Sequence, residues 1–221
     1  METRGKYAGH AGEYAQTVPL HDAFIGIGGD GTAHEIANGM LRRDEADRVP
    51  IGIIPAGSGN TWAFDLGLAG AEDAASIIVN GQTAAVDVMA ISAVDQPEAV
   101  REYALNICGF GMPAAVLAQA NALRWLGSAQ YELAGLILIA TGQTSYGATL
   151  QIETEDGEVV TRELEDFSFA QAQVNMHMGK KVCFAPGARM DDGLLDLVLV
   201  ERSGGLDILH ANARARGATH V

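Results

Sequence analysis

The stretch Phe24-Ile25-Gly26-Ile27-Gly28-Gly29-Asp30-Gly31-Thr32 decides how this chain is read. Ala23 to Ile27 is a short apolar run of buried-strand type, and it ends on Gly28-Gly29-Asp30-Gly31. From Thr32 to Arg43, apolar residues at 33, 36, 37, 40 and 41 follow a helical stripe. A glycine-rich turn between strand and helix aims backbone N–H groups and the helix N-terminus at one point, a favourable seat for phosphate. Asp30 is unusual there, because a carboxylate repels phosphate unless a cation intervenes or the group handles a proton. Metal-bridged nucleotide chemistry accommodates it most simply. The plain alternative is a tight turn in which Asp30 only supports the helix start.

Working outward, Ile51 to Ile54 is the next apolar strand, and Pro55-Ala56-Gly57-Ser58-Gly59-Asn60 repeats the arrangement. Carboxyl ends of parallel strands share one edge, so both loops should face one crevice and hold a nucleoside triphosphate between them. An ordinary turn with Asn60 as helix cap is the plain alternative. A helix over Ala71 to Val79 stops at Asn80-Gly81. Alternating strands and helices predict an α/β, Rossmann-like parallel sheet over residues 1–82.

Residues 83–221 change character. Ala84–Ala93, Tyr103–Ile107, Thr149–Thr154, Val159–Leu164, Phe167–Val174 and Leu194–Val200 read as strands, and Glu155-Asp156-Gly157-Glu158 as a hairpin turn. Two helices, about 114–126 and 128–142, interrupt them, with apolar positions 115, 116, 123, 126, 133, 136, 137 and 140 expected in the core. The second domain is therefore expected to be mainly antiparallel, a β-sandwich with two inserted helices.

Composition narrows the function. The chain has 221 residues, 48% hydrophobic and 19% charged, which excludes disorder as the main state. Its net charge of −14 argues against a nucleic-acid partner, which needs a basic face. Cys108 and Cys183 have no metal-ligand spacing, so a reducing compartment is the default. The longest apolar run, Leu133 to Ala140, is far short of the roughly 20 residues that span a bilayer.

GGDGT with Glu35 close behind, followed by PIGIIPAGSGN, resembles the diacylglycerol kinase catalytic domain superfamily, which includes bacterial lipid kinases and the sphingosine and ceramide kinases. Ala8-Gly9-His10-Ala11, Leu126-Gly127-Ser128-Ala129-Gln130-Tyr131 and Pro186-Gly187-Ala188-Arg189-Met190-Asp191-Asp192-Gly193-Leu194-Leu195-Asp196 continue the likeness in order. The resemblance implies a phosphofructokinase/NAD kinase-like nucleotide domain and transfer of the ATP γ-phosphate to a lipid hydroxyl. It implies ATP at Gly28, Gly29, Asp30, Gly31, Thr32, Glu35, Gly57, Ser58, Gly59 and Asn60, with Arg124 a further contact. It implies Asp30 at the phosphoryl-transfer centre, where the matching residue of the sphingosine-kinase branch is the proton acceptor. It implies magnesium (Mg2+) held by Asp192 with carbonyls of Arg189 and Leu194, a set of hard oxygens on a glycine turn. Asp191-Asp192-Gly193 as a simple turn stays open beside it.

The lipid partner is expected in a water-poor groove formed with the Ala114–Gln143 helices. Pro113-Ala114-Ala115-Val116-Leu117 carries no acid where sphingosine kinases hold the substrate amine, which favours a diacylglycerol-like lipid over a sphingoid base. A cytoplasmic protein making transient membrane contact is expected, and self-association into a homodimer is left open. The family's opening Asn-Pro…Gly strand and its later Asp-Gly-Glu motif have no counterpart, so the chain is expected to be truncated at both ends, and to fold poorly or turn over little. Two other readings compete: an NAD kinase or another small-molecule GGDGT kinase, and a non-catalytic fragment or binding module. His10, His34 and His177 are read as surface or satisfied core residues, Lys180 and Lys181 as an exposed pair, and Cys183 as a buried apolar group.

Overall fold

Glycine sets the spacing of the first layer. The computed structural model describes residues 5–19, 22–127, 129–143, 145–178 and 182–201. The chain divides into two units: one runs to Asn106 and takes back His177 and Met190–Asp192, and the other begins at Ile107. In the first unit, β1 (Phe24–Gly28) pairs parallel with β2 (Ile51–Pro55), from Phe24 opposite Ile51 to Gly28 opposite Pro55. Parallel strands need a crossover, and α2 (Asp30–Leu41) supplies it. A Cβ on Gly26 would lie 2.4 Å from Ile36 Cδ1, so the missing side chain lets α2 settle on the strand.

Ahead of them, α1 (His10–Thr17) lies against α2. Their crossing is close because a Cβ on Gly39 would sit 2.1 Å from the Gly12 carbonyl oxygen. After β2 come α3 (Thr61–Asp65) and α4 (Ala71–Val79), the latter stopped as expected at Asn80-Gly81, where Gly81 has φ +65°. Ala15, Ala33, Ile36, Ala37, Ile53, Trp62 and Leu105 form this unit's buried core. Strands β3 (Met89–Ala93) and β4 (Gln96–Ala104) complete it as an antiparallel pair.

Two expected strands are corrected here. Only Met89–Ala93 of the run from Ala84 is paired. The expected strand Tyr103–Ile107 is broken at Leu105-Asn106, because β4 pairs with β3 while β5 (Ile107–Gly111) pairs with a different sheet.

In the second unit, the 15-residue β7 (Val159–Gln173) is the central strand. It pairs antiparallel with β5, with β6 (Tyr146–Glu153) and with the strand Asp196–Glu201. The sequence suggests two strands within β7, but the structure runs through Glu165-Asp166 without a break. The hairpin turn stands where expected: Gly157, at φ +81°, donates its N–H to the Thr154 carbonyl at 2.8 Å.

Helix α5 (Met112–Ala120) starts at Gly111, whose φ of +69° and crowding against Phe167 exclude a side chain. The helix expected over 114–126 ends early: a 3-10 turn covers Asn121–Leu126, with Leu123 at φ −110°, ψ 17°. Helix α6 (Ala129–Ala140) buries Ala134 and Leu138. Leu133 and Leu136, expected in the core, are 39% and 51% exposed, and Leu117 and Trp125 are more exposed still. No described helix is long and apolar enough to cross a membrane.

Candidate active site

Two loops meet at the carboxyl ends of β1 and β2. Ala56 donates its N–H to the Gly28 carbonyl at 2.8 Å, so the strand pairing continues one step past the sheet. Beyond that point the backbones touch. A Cβ on Gly29 would lie 2.9 Å from Gly57 Cα. A Cβ on Gly28 would collide with the Thr32 hydroxyl at 2.2 Å. Glycine is required here for close approach rather than for its dihedral freedom, since Gly29 has φ −107°.

Asn60 shapes the second loop from within. Its Oδ1 accepts from the Gly57 N–H, and its Nδ2 donates to the Gly57 carbonyl, both at 2.8 Å. This closed ring holds Asn60 at φ 55°, ψ 41°, a left-handed conformation that asparagine tolerates better than most residues. Asn60 precedes α3 as a cap should, yet its side chain makes no cap hydrogen bond.

Asp30 supplies that bond instead. Its Oδ1 accepts from the Trp62 N–H at 2.9 Å, at the start of α3. A Cβ on Gly59 would stand 2.8 Å from Asp30 Oδ2. The carboxylate therefore lies between the two loops, with one oxygen fixed on α3 and the other facing Gly59. Asp30 does support a helix start, but of α3 rather than of its own helix. The first turn of α2 leaves N–H groups without intrahelical partners around it, the arrangement that receives an anionic group.

Helix α2 holds this carboxylate because other residues fix the helix along its length. Glu35 accepts from the Gly9 N–H at 2.8 Å and the Ala11 N–H at 3.3 Å, capping α1 from outside. Arg43, two turns on, donates to the Ala15 carbonyl at 2.7 Å at the other end of α1. A carboxylate at the N-terminus and a guanidinium near the C-terminus both complement the α1 dipole. Buried Asn38 exchanges two bonds with Tyr103, Nδ2 to its carbonyl at 2.8 Å and Oδ1 from its N–H at 2.9 Å. His34 Nε2 lies 2.8 Å from Glu102 Oε1 on the same side. Sequence reading missed Asn38 and Arg43, whose partners are 65 and 28 residues away.

The structure thus brings together Gly28, Gly29, Asp30, Gly31, Thr32, Gly57, Ser58, Gly59 and Asn60. Glu35 is on the same helix, with both oxygens engaged on α1. Arg124 lies in the 3-10 turn before α6, and its side chain is outside the described residues, as are Lys180 and Lys181. Arg189, Asp192 and Leu194 flank the exposed turn at Gly193, which has φ +76°. Among the described residues no group of three or more His, Cys, Asp or Glu is placed to hold a metal. His177 is not solitary: its backbone N–H and ring Nδ1 both meet the Asp65 carboxylate. Cys183 is buried, as expected.

The profile of the diacylglycerol kinase catalytic domain matches residues 2–91. The profile of the YegS C-terminal NAD kinase beta sandwich-like domain matches residues 106–221, more than half of the chain. Sphingosine kinase 1 of Arabidopsis thaliana is 27% identical over 259 aligned positions, covering 98% of this chain and 53% of that protein. Diacylglycerol kinase of Bacillus subtilis is 26% identical, covering 97% of this chain and 67% of its own length. The crystal structure of a diacylglycerol kinase from Bacillus anthracis str. Sterne superposes with TM-score 0.66 at 26% identity, over 95% of this chain and 65% of that one. The chain spans about half the length of the first of these relatives.

Proposed function

The chain belongs to the lipid kinase family defined by the diacylglycerol kinase catalytic domain and the YegS-type C-terminal domain, and from that premise we propose that it carries an ATP-dependent lipid kinase site at the paired glycine loops. The observation that carries the proposal is the carboxylate of Asp30 held between two backbone cradles, one oxygen on the Trp62 N–H and the other facing Gly59. Backbone amides of the loops offset charge on the phosphates, and Asp30 Oδ2 takes the proton of the attacking hydroxyl. Gly28 to Thr32 and Gly57 to Asn60 bind the triphosphate.

Asp192, with carbonyls of its turn, is the proposed magnesium ligand; when bound, the metal supplies positive charge that screens the triphosphate. The proposed acceptor is a neutral, diacylglycerol-like lipid. Supporting this are the absence of an acid over 113–117 and the exposed apolar side chains of Leu117, Leu133 and Leu136, which suit acyl chains. Transient contact with a bilayer follows from that acceptor, because the lipid resides there.

The test is calorimetric and enzymatic. Magnesium-ATP is titrated into the purified chain, and labelled ATP is then supplied with diacylglycerol, sphingosine or NAD. Binding of magnesium-ATP with label entering diacylglycerol is the expected result. No heat with magnesium-ATP points to a non-catalytic module, and label entering NAD points to a small-molecule kinase.

A further inference from the structure

Helix α3 is five residues long, too short to hold its place alone. Its first turn is fastened by Asp30 through the Trp62 N–H. Its last residue, Asp65, is fastened from a segment 112 residues later. The His177 backbone N–H donates to Asp65 Oδ2 at 3.1 Å, and His177 Nδ1 lies 2.5 Å from Asp65 Oδ1. An ionised carboxylate only accepts, so Nδ1 carries the proton in this pair. The Asp65 side chain is 1% exposed and the His177 ring 20% exposed, so water screens the bond little. The Phe64 ring meets the imidazole edge to face at 5.2 Å, covering it from α3 itself.

We infer that the Asp65–His177 pair is a positioning clamp for Asp30, holding α3 so that the Trp62 N–H stays on the carboxylate and Asp30 Oδ2 stays turned toward Gly59. The inference rests on the kinase reading only for its catalytic consequence. Removing the imidazole strips one of the bonds that fix the buried Asp65 carboxylate, leaving the backbone N–H of residue 177 on Oδ2, and a single turn of helix has few bonds of its own to compensate. The C-terminal end of α3 is then held less firmly, and because Trp62 is packed in the core the loosening is read at its N–H bond to Asp30. His177 touches no reacting atom in this scheme and acts through Asp65, α3 and Trp62.

Amide hydrogen exchange measured residue by residue by heteronuclear NMR, without ATP or lipid, tests the clamp. His177→Ala should speed exchange at the Trp62 amide about tenfold, while the Tyr103 amide, pinned by Asn38, stays at its wild-type rate. His177→Asn, whose side-chain amide places an N–H close to the position of Nδ1, should restore slow exchange at Trp62. Asp65→Asn should behave as His177→Ala does and covers the case in which the alanine variant does not fold. In turnover, His177→Ala should lower kcat about tenfold with KM for ATP changed less than about threefold, since the cradles remain. Unchanged Trp62 exchange in both His177→Ala and Asp65→Asn overturns the clamp, as does equal acceleration at Tyr103. The expected exchange pattern with no turnover in any variant, wild type included, keeps the clamp and overturns the kinase reading.

Discussion

Gly57 and Gly29 meet backbone to backbone: a Cβ on Gly57 would lie 2.4 Å from the Gly29 Cα and 3.0 Å from its nitrogen. Neither atom belongs to a side chain that can rotate away, so one loop can accept a larger residue only if the other retreats.

Gly57→Ala should therefore separate the two cradles. The expected cost is about 1–3 kcal/mol, the range for overpacking a rigid site. Magnesium-ATP binding should fall with it. Thermal unfolding and calorimetry check this against Gly5→Ala, away from the loops, where a Cβ meets nothing within 4 Å. Equal melting temperatures and equal affinities for the two variants would contradict the contact.

Asp30→Asn and Asp30→Ala should differ in a diagnostic way. Asparagine keeps an acceptor for the Trp62 N–H but cannot take a proton, so turnover should fall about 10²- to 10⁴-fold with little loss of stability. Alanine also removes the bond at the start of α3, adding about 1 kcal/mol of destabilisation. Steady-state rates and denaturant midpoints of both variants separate the two roles of the carboxylate.

Asn38→Ala should be the most damaging change away from the loops. It strands the N–H and carbonyl of Tyr103 together, and each buried orphan costs about 1–3 kcal/mol. Urea unfolding should show the loss, and Asn38→Asp should recover only the half in which Oδ1 accepts.

Cys108 offers a pH-dependent readout. Burial pushes its thiol above the ordinary value, so less thiolate is present at any given pH. Alkylation by iodoacetamide near pH 7.5 should run slower than for a free thiol and accelerate as the solution becomes more alkaline. Because the unfolded chain ionises first, this thiol's contribution to stability is complete below the ordinary pKa and is lost as pH rises through the raised one. A rate equal to that of free cysteine at pH 7.5 would remove the shift.

The parts of the molecule legible in sequence are those governed by neighbours. Gly28 to Thr32 and Gly57 to Asn60 announce their turns by composition, and the strand–helix alternation places both loops at one sheet edge. Glu155-Asp156-Gly157 and Asn80-Gly81 likewise stop their elements where expected. What escaped depends on distant partners. Asp65 and His177 look unremarkable until α3 and a segment 112 residues later lie side by side. Glu35 reads as part of the nucleotide site because it follows the loop, yet its oxygens are turned to α1. Leu133 and Leu136 fit a buried stripe by periodicity, but periodicity does not say whether anything covers the face it defines.

The position of β7 has a consequence for how the second unit is assembled. Among the described residues every strand of its sheet bonds to β7, and only the β6 partner is a neighbour in sequence. The β6–β7 hairpin can form within microseconds, whereas β5 and the strand Asp196–Glu201 join from far along the chain, a closure that is entropically slow. Refolding of this unit should thus begin at the Gly157 turn and finish late, leaving a two-stranded ribbon exposed in the interval. A substitution that stiffens or breaks that turn would act on the rate of folding more than on the finished protein.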